Sequence, residues 1–120
     1  MGAEITDARE GVVTVELSGL LTQSELAHLQ KATADIIRAQ GKVRILVLAG
    51  QFTGWERGDW DDFSFQSEFD PCIEKMAIVG DKRWEDAAML FTTRDLRDFP
   101  IEYFATGEVE MARAWLRENP

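Results

Sequence analysis

Val43-Arg-Ile-Leu-Val-Leu-Ala49 is the stretch on which the fold turns. From Ile45 onward every residue is apolar, so a strand built from it has no polar face to turn toward water. Strands buried on both faces belong to parallel sheets layered between helices. Lys75-Met-Ala-Ile-Val-Gly80 has the same character and supplies a second such strand.

Upstream, Glu4–Asp7 and Val12–Ser18 read as a hairpin, with Gly11 available for a positive φ in the turn. Val13, Val15 and Leu17 alternate there with Thr14, Glu16 and Ser18, the pattern of a half-buried strand. Thr22-Gln-Ser-Glu25 is a capping box, in which the Thr22 hydroxyl and the Glu25 carboxylate satisfy exposed amides at a helix start. The helix it opens places Leu26, Leu29, Thr33, Ile36 and Ile37 on one face and stops at Gly41. Downstream, a short helix is expected over Asp59–Phe69, with Pro71 barring continuation, and Asp81 is placed to cap a third. After a loop over Asp95–Pro100, Ile101–Ala105 forms a last strand. Thr106 is the expected cap of a final helix whose inner face is Val109, Ala112, Trp115 and Leu116. The order ββαβαβαβα predicts an α/β fold, a mixed sheet flanked on both sides by about four helices, in one domain over residues 1–120.

Composition narrows the function classes. Hydrophobic residues form 45% of the chain and charged residues 29%, a globular balance rather than a disordered one. Asp and Glu outnumber Lys and Arg by 22 to 13, a formal charge of −9 that repels phosphate backbones and anionic membranes. Neither nucleic-acid binding nor stable membrane anchoring is expected. No apolar run approaches the roughly 18 residues of a membrane span. MGAEITDARE reads as neither a signal nor a transit peptide, and a lone Cys72 fits a reducing cytoplasm. With Cys72 and His28 the sole cysteine and histidine, a zinc site of nitrogen and sulfur ligands within one chain is excluded. No catalytic residues, metal or cofactor are expected.

Parallel strands joined by right-handed crossovers bring their carboxyl ends to one edge, where ligands of such sheets sit. The segments after Ala49, Gly80 and Ala105 should therefore converge. They carry Thr53, Gly54, Trp55, Arg57, Asp59 and Trp60 from the first, Asp81, Lys82, Arg83 and Trp84 from the second, and Thr106 and Gly107 from the third. These form a candidate crevice with aromatic walls and mixed charge. The simpler reading is weighed at each. Asp59, Asp61 and Asp62 fit a helix's first turn, where the dipole favours negative charge. Trp60 and Trp84 occupy core positions, which leaves Trp55 as the exposed aromatic. The glycines of Gly50-Gln-Phe-Thr-Gly-Trp-Glu-Arg-Gly58 match no phosphate-loop spacing and serve backbone turns.

Taken together, Ile45-Leu-Val-Leu-Ala-Gly-Gln-Phe-Thr-Gly-Trp55, Asp61-Asp62, Ile73-Glu-Lys-Met-Ala-Ile-Val-Gly-Asp81 with Trp84, Tyr103-Phe104 and Ala112-Arg-Ala-Trp115-Leu116 resemble the SpoIIAA-like group of STAS domains. That group is similar in fold both to anti-sigma-factor antagonists and to SEC14-like lipid-binding domains. The resemblance implies a bacterial binding or regulatory module rather than an enzyme. Its partner would be another protein or a second copy, a homodimer, with a small hydrophobic ligand as the alternative. The antagonists carry a phosphorylatable serine after the corresponding strand. Here Thr53-Gly-Trp-Glu-Arg-Gly-Asp59 has none, so serine control is not expected and Thr53 is the candidate phosphorylation site.

Overall fold

The computed structural model describes residues 3–9, 11–56, 70–91 and 99–118. Five strands, β1 (Ala3–Asp7), β2 (Val12–Leu21), β3 (Val43–Trp55), β4 (Ile73–Gly80) and β5 (Ile101–Ala105), lie side by side in sequence order. β1 pairs antiparallel with β2, and every later neighbour pairs in parallel. Helices α1 (Gln23–Gln40), α2 (Glu85–Phe91) and α3 (Val109–Arg117) are joined by 3-10 turns at Asp70–Cys72 and Lys82–Trp84.

The mixed α/β sheet expected from the sequence is present, but the order ββαβαβαβα with about four helices is matched only in part. The described elements run ββαββαβα with three helices. The helix expected over 59–69 lies outside the described residues.

Alternation along β3 and β4 divides the apolar residues between two layers. Val43, Ile45, Ala49 and Ile78 meet Leu29, Ala34 and Ile37 of α1 and Ala88 of α2, and Ile73 joins them across a break in register at the start of β4. Leu46, Ala77 and Val79 meet Ala112 and Leu116 of α3 on the other face. The run Ile45–Ala49 is apolar throughout because each of its faces has a helix to satisfy.

Local chemistry sets the ends of α1. Its capping box forms, with the Thr22 hydroxyl accepting from the Glu25 amide at 3.1 Å and a Glu25 carboxylate oxygen accepting from the Thr22 amide at 3.0 Å. Gly41, at φ 90°, donates its amide to Ile37 O at 2.7 Å and closes the helix. At α3 the expected cap is corrected: Glu108, not Thr106, precedes the helix, and its carboxylate reaches back to the Ala105 amide at 2.8 Å.

The largest departure lies in β2 and β3. β2 runs on to Leu21 rather than ending at Ser18, and β3 runs on to Trp55 rather than ending at Ala49. Glu16 and Leu21 pair with Leu48 and Trp55, so β3 accommodates two more residues than β2 over that span, at two breaks in register. Gly54 takes φ 134° beside the second break, a conformation that residues with a Cβ rarely adopt.

Candidate functional site

The extension of β3 builds the edge that the sequence placed in a loop. Bulges re-aim side chains at the ends of strands, and here Phe52 turns inward while Thr53 is exposed. Trp55 follows, half-buried. The 3-10 turn after β4 brings in Trp84, also half-buried. The three rings meet edge to face: Phe52 to Trp55 with centroids 4.8 Å apart, Phe52 to Trp84 at 5.3 Å, and Trp55 to Trp84 at 5.9 Å. Such geometry sets the positive edge of one ring against the negative face of another. A Cβ on Gly54 would stand 3.5 Å from the Trp84 ring and 3.9 Å from Leu20, so the glycine lets β3 pass close beneath both side chains.

Polar groups lock this edge from either side. The Glu56 amide donates to Leu21 O at 2.9 Å, and its carboxylate accepts from the Gln23 amide at 2.6 Å. The end of β3 is thereby tied to the first turn of α1. Asp81 is exposed and accepts from the Arg83 amide at 3.0 Å, capping the 3-10 turn that carries Trp84. The Arg83 guanidinium lies 5.1 Å from the Trp84 ring centroid. Beneath the turn, the Tyr103 hydroxyl donates to Asp81 O at 2.7 Å. Burial pushes the Tyr103 phenol up from 10.0, and the charges of Asp81 and Glu85 add to the rise.

Of the residues singled out from the sequence, Thr53, Gly54, Trp55 and Trp84 are gathered at this edge, with Asp81 at the turn leading to Trp84. Asp59 and Trp60 lie outside the described residues. Gly50 and Thr106 also approach one another, a Cβ at Gly50 standing 3.9 Å from Thr106 Cγ2. The sequence leaves Trp55 as the exposed aromatic, and it is instead half-buried, because β3 carries it under Trp84. Phe52 and Leu20 were missed. Phe52 lies in a segment whose glycines read as turns and Leu20 lies beyond the expected strand end at Ser18, and only the mutual pairing of β2 and β3 reveals them as strand. The missed signal is the alternation of Phe52 with its exposed neighbours Gln51 and Thr53.

His28 is exposed on α1, and Cys72 is half-buried against the α1-side core. Among the described residues, no three His, Cys, Asp or Glu side chains group as metal ligands, and no helix is long and apolar enough to cross a membrane.

Comparison with solved structures finds the same fold in an uncharacterized protein of the DUF3478 family from Shewanella loihica PV-4, described as having a SpoIIAA-like fold. The TM-score is 0.73 at 15% identity, covering 96% of this chain and 94% of that one. A search of curated protein sequences finds no match. A sequence model of the SpoIIAA-like family matches residues 12–117, which takes in the sheet from β2 onward, all three helices and the aromatic edge, and on that match the chain belongs to the SpoIIAA-like family.

Proposed function

We propose that this chain is a non-enzymatic protein-interaction or regulatory module acting through the edge formed by Leu20, Thr53, Trp55 and Trp84. The observation that carries this reading is the apolar character of the edge. Leu20 is 51% exposed beside two half-buried tryptophans, in a chain whose other large apolar side chains are, among the described residues, mostly covered. Half-buried aromatics next to an exposed aliphatic are the composition of an interface centre, where Trp is enriched and charge is depleted. The partner is a protein or a second copy of the chain. In the same reading Thr53, exposed on β3, is the phosphorylatable group of the edge, and a phosphate there would add charge to the apolar surface.

Leu20→Glu tests this without cutting into the aromatic packing. Light scattering at two concentrations, with affinity capture, should show an assembly or a bound protein for the native chain and neither for the variant. Both should keep the same melting temperature. A native chain that stays monomeric and captures nothing overturns the proposal.

A small hydrophobic ligand is the second reading, favoured by one observation. Trp84 Nε1 is buried and has no hydrogen-bond partner among the described residues, which leaves a donor for a ligand's oxygen. Denaturing mass spectrometry of organic extracts from purified protein would reveal a stoichiometric compound on this reading, and a clean extract would reject it.

A further inference from the structure

At the opposite end of the sheet, where β2, β3 and β4 begin, a cavity of about 480 Å³ opens between the strands and the last turn of α3. Its walls carry five cations, Arg9, Lys42, Arg44, Arg113 and Arg117, against two carboxylates, Asp7 and Glu74. This concentration of positive charge stands out in a chain with a formal charge of −9.

Part of that charge has a structural role. Arg44 donates to Leu116 O and to Glu118 O and pairs with Glu74 at 3.3 Å, and Lys75 takes Trp115 O. Three carbonyls at the end of α3, which a helix leaves without internal partners, are satisfied in this way. Arg9 pairs with Asp7 at 2.7 Å, and Arg113 pairs with Glu110 at 3.7 Å. Both carboxylates of the cavity are thus already engaged. Lys42 and Arg117 are exposed, and among the described residues neither has a carboxylate partner. They come from different elements, the α1–β3 connection and the end of α3, and line the same cavity.

We propose that this cavity is a binding site for a small multiply charged phosphate anion, held chiefly by Lys42 and Arg117 with Arg9 and Arg113 at the rim. The volume lies in the range of small-ligand sites, roughly 300–1,000 Å³. Its walls differ from the apolar lining usual there, which selects a charged ligand over a hydrophobic one. Guanidinium and ammonium groups together recognise phosphate oxygens by charge-assisted hydrogen bonds. The chain's net negative charge repels such an anion at a distance. Within a screening length of about 10 Å at 0.1 M salt, the local cations dominate. The site is separate from the aromatic edge and does not depend on what that edge binds.

Titration of the 15N-labelled chain with inorganic pyrophosphate in a phosphate-free buffer tests the proposal. The expected result is saturable shifts centred on the amides of Gly11, Lys42 and Arg117. Binding should weaken roughly tenfold or more in Lys42→Glu/Arg117→Glu, because two charge-assisted contacts are lost and two negative charges face the anion in their place. It should persist in Lys31→Glu, an exposed α1 lysine away from the cavity. Retained amide dispersion in the double variant shows that folding is not what was lost. Pelleting with vesicles containing phosphatidylinositol bisphosphate, but not with phosphatidylcholine vesicles, would identify a lipid headgroup as the source of the phosphate. Pyrophosphate binding without pelleting would identify a free phosphate compound. No saturable shift, shifts scattered over the surface, or equal affinity in the double variant overturns the proposal.

Discussion

Tyr103 and Gly80 form a contact that leaves little room. A Cβ on Gly80 would stand 2.7 Å from the Tyr103 hydroxyl, closer than such atoms ever come, and 3.3 Å from Ala49 O. Gly80→Ala should therefore lower stability by about 1–3 kcal/mol, as overpacking of a tight core does. Tyr103→Phe removes the clashing oxygen and should restore part of that loss, a coupling that a double-mutant cycle in urea would measure. Alone, Tyr103→Phe should cost about 1 kcal/mol, the worth of the bond to Asp81 O. The same hydroxyl gives a pH signature. Burial raises its pKa above 10.0, so the folded chain keeps this proton to higher pH than the unfolded one. Its contribution is complete below pH 10.0 and is lost as pH climbs through the raised folded value. Urea midpoints should fall on that alkaline limb, and the fall should be shallower in Tyr103→Phe.

Among the elements, α3 is held at its end by residues it does not own. Arg44 reaches Leu116 O and Glu118 O from β3, while Lys75, buried in β4, donates to Trp115 O at 2.7 Å and lies 4.5 Å from the Trp115 ring centroid. Arg44→Ala should cost about 2 kcal/mol, in the range for hydrogen bonds from a charged donor. Hydrogen exchange should quicken in the last turn of α3 while α1 stays as protected as before. None of this was legible in the sequence, since nothing local to Arg44 or Lys75 says that the end of α3 will lie beside them. What was legible rested on local signals strong enough to need no partner. Ile45–Ala49 declared a doubly covered strand, and Thr22 with Glu25 declared the start of α1. The end of β3 was hidden for the opposite reason. Gly50 and Gly54 are turn residues by local chemistry, and β2 makes them strand only by continuing to Leu21.

Over the whole molecule, one sheet separates two cores, and its two ends have opposite character. The carboxyl end gathers Phe52, Trp55 and Trp84, while the amino end gathers Arg9, Lys42, Arg44, Arg113 and Arg117. The aromatic end was partly visible in the sequence because its residues follow predicted strands. The basic end was not, since its cations come from a hairpin turn, a connection, a strand and a helix, and only the fold assembles them. The charge of −9 makes the compact state repel itself. Melting temperature should therefore rise as sodium chloride is raised from low to physiological strength, measured by calorimetry at neutral pH. A flat response would mean that the acidic residues are already locally neutralised.

Ala49 and Phe52 both face the α1-side core although they are three positions apart, because one surplus residue of β3 bulges out between them. Deleting Gln51 would remove that bulge and leave Phe52 two positions after Ala49, still inward as in a regular strand, whereas deleting Gly50 and Gln51 together would turn it out to solvent. Losing one residue at this bulge should therefore be tolerated and losing two rejected, a difference that melting temperatures of the two deletion variants would show.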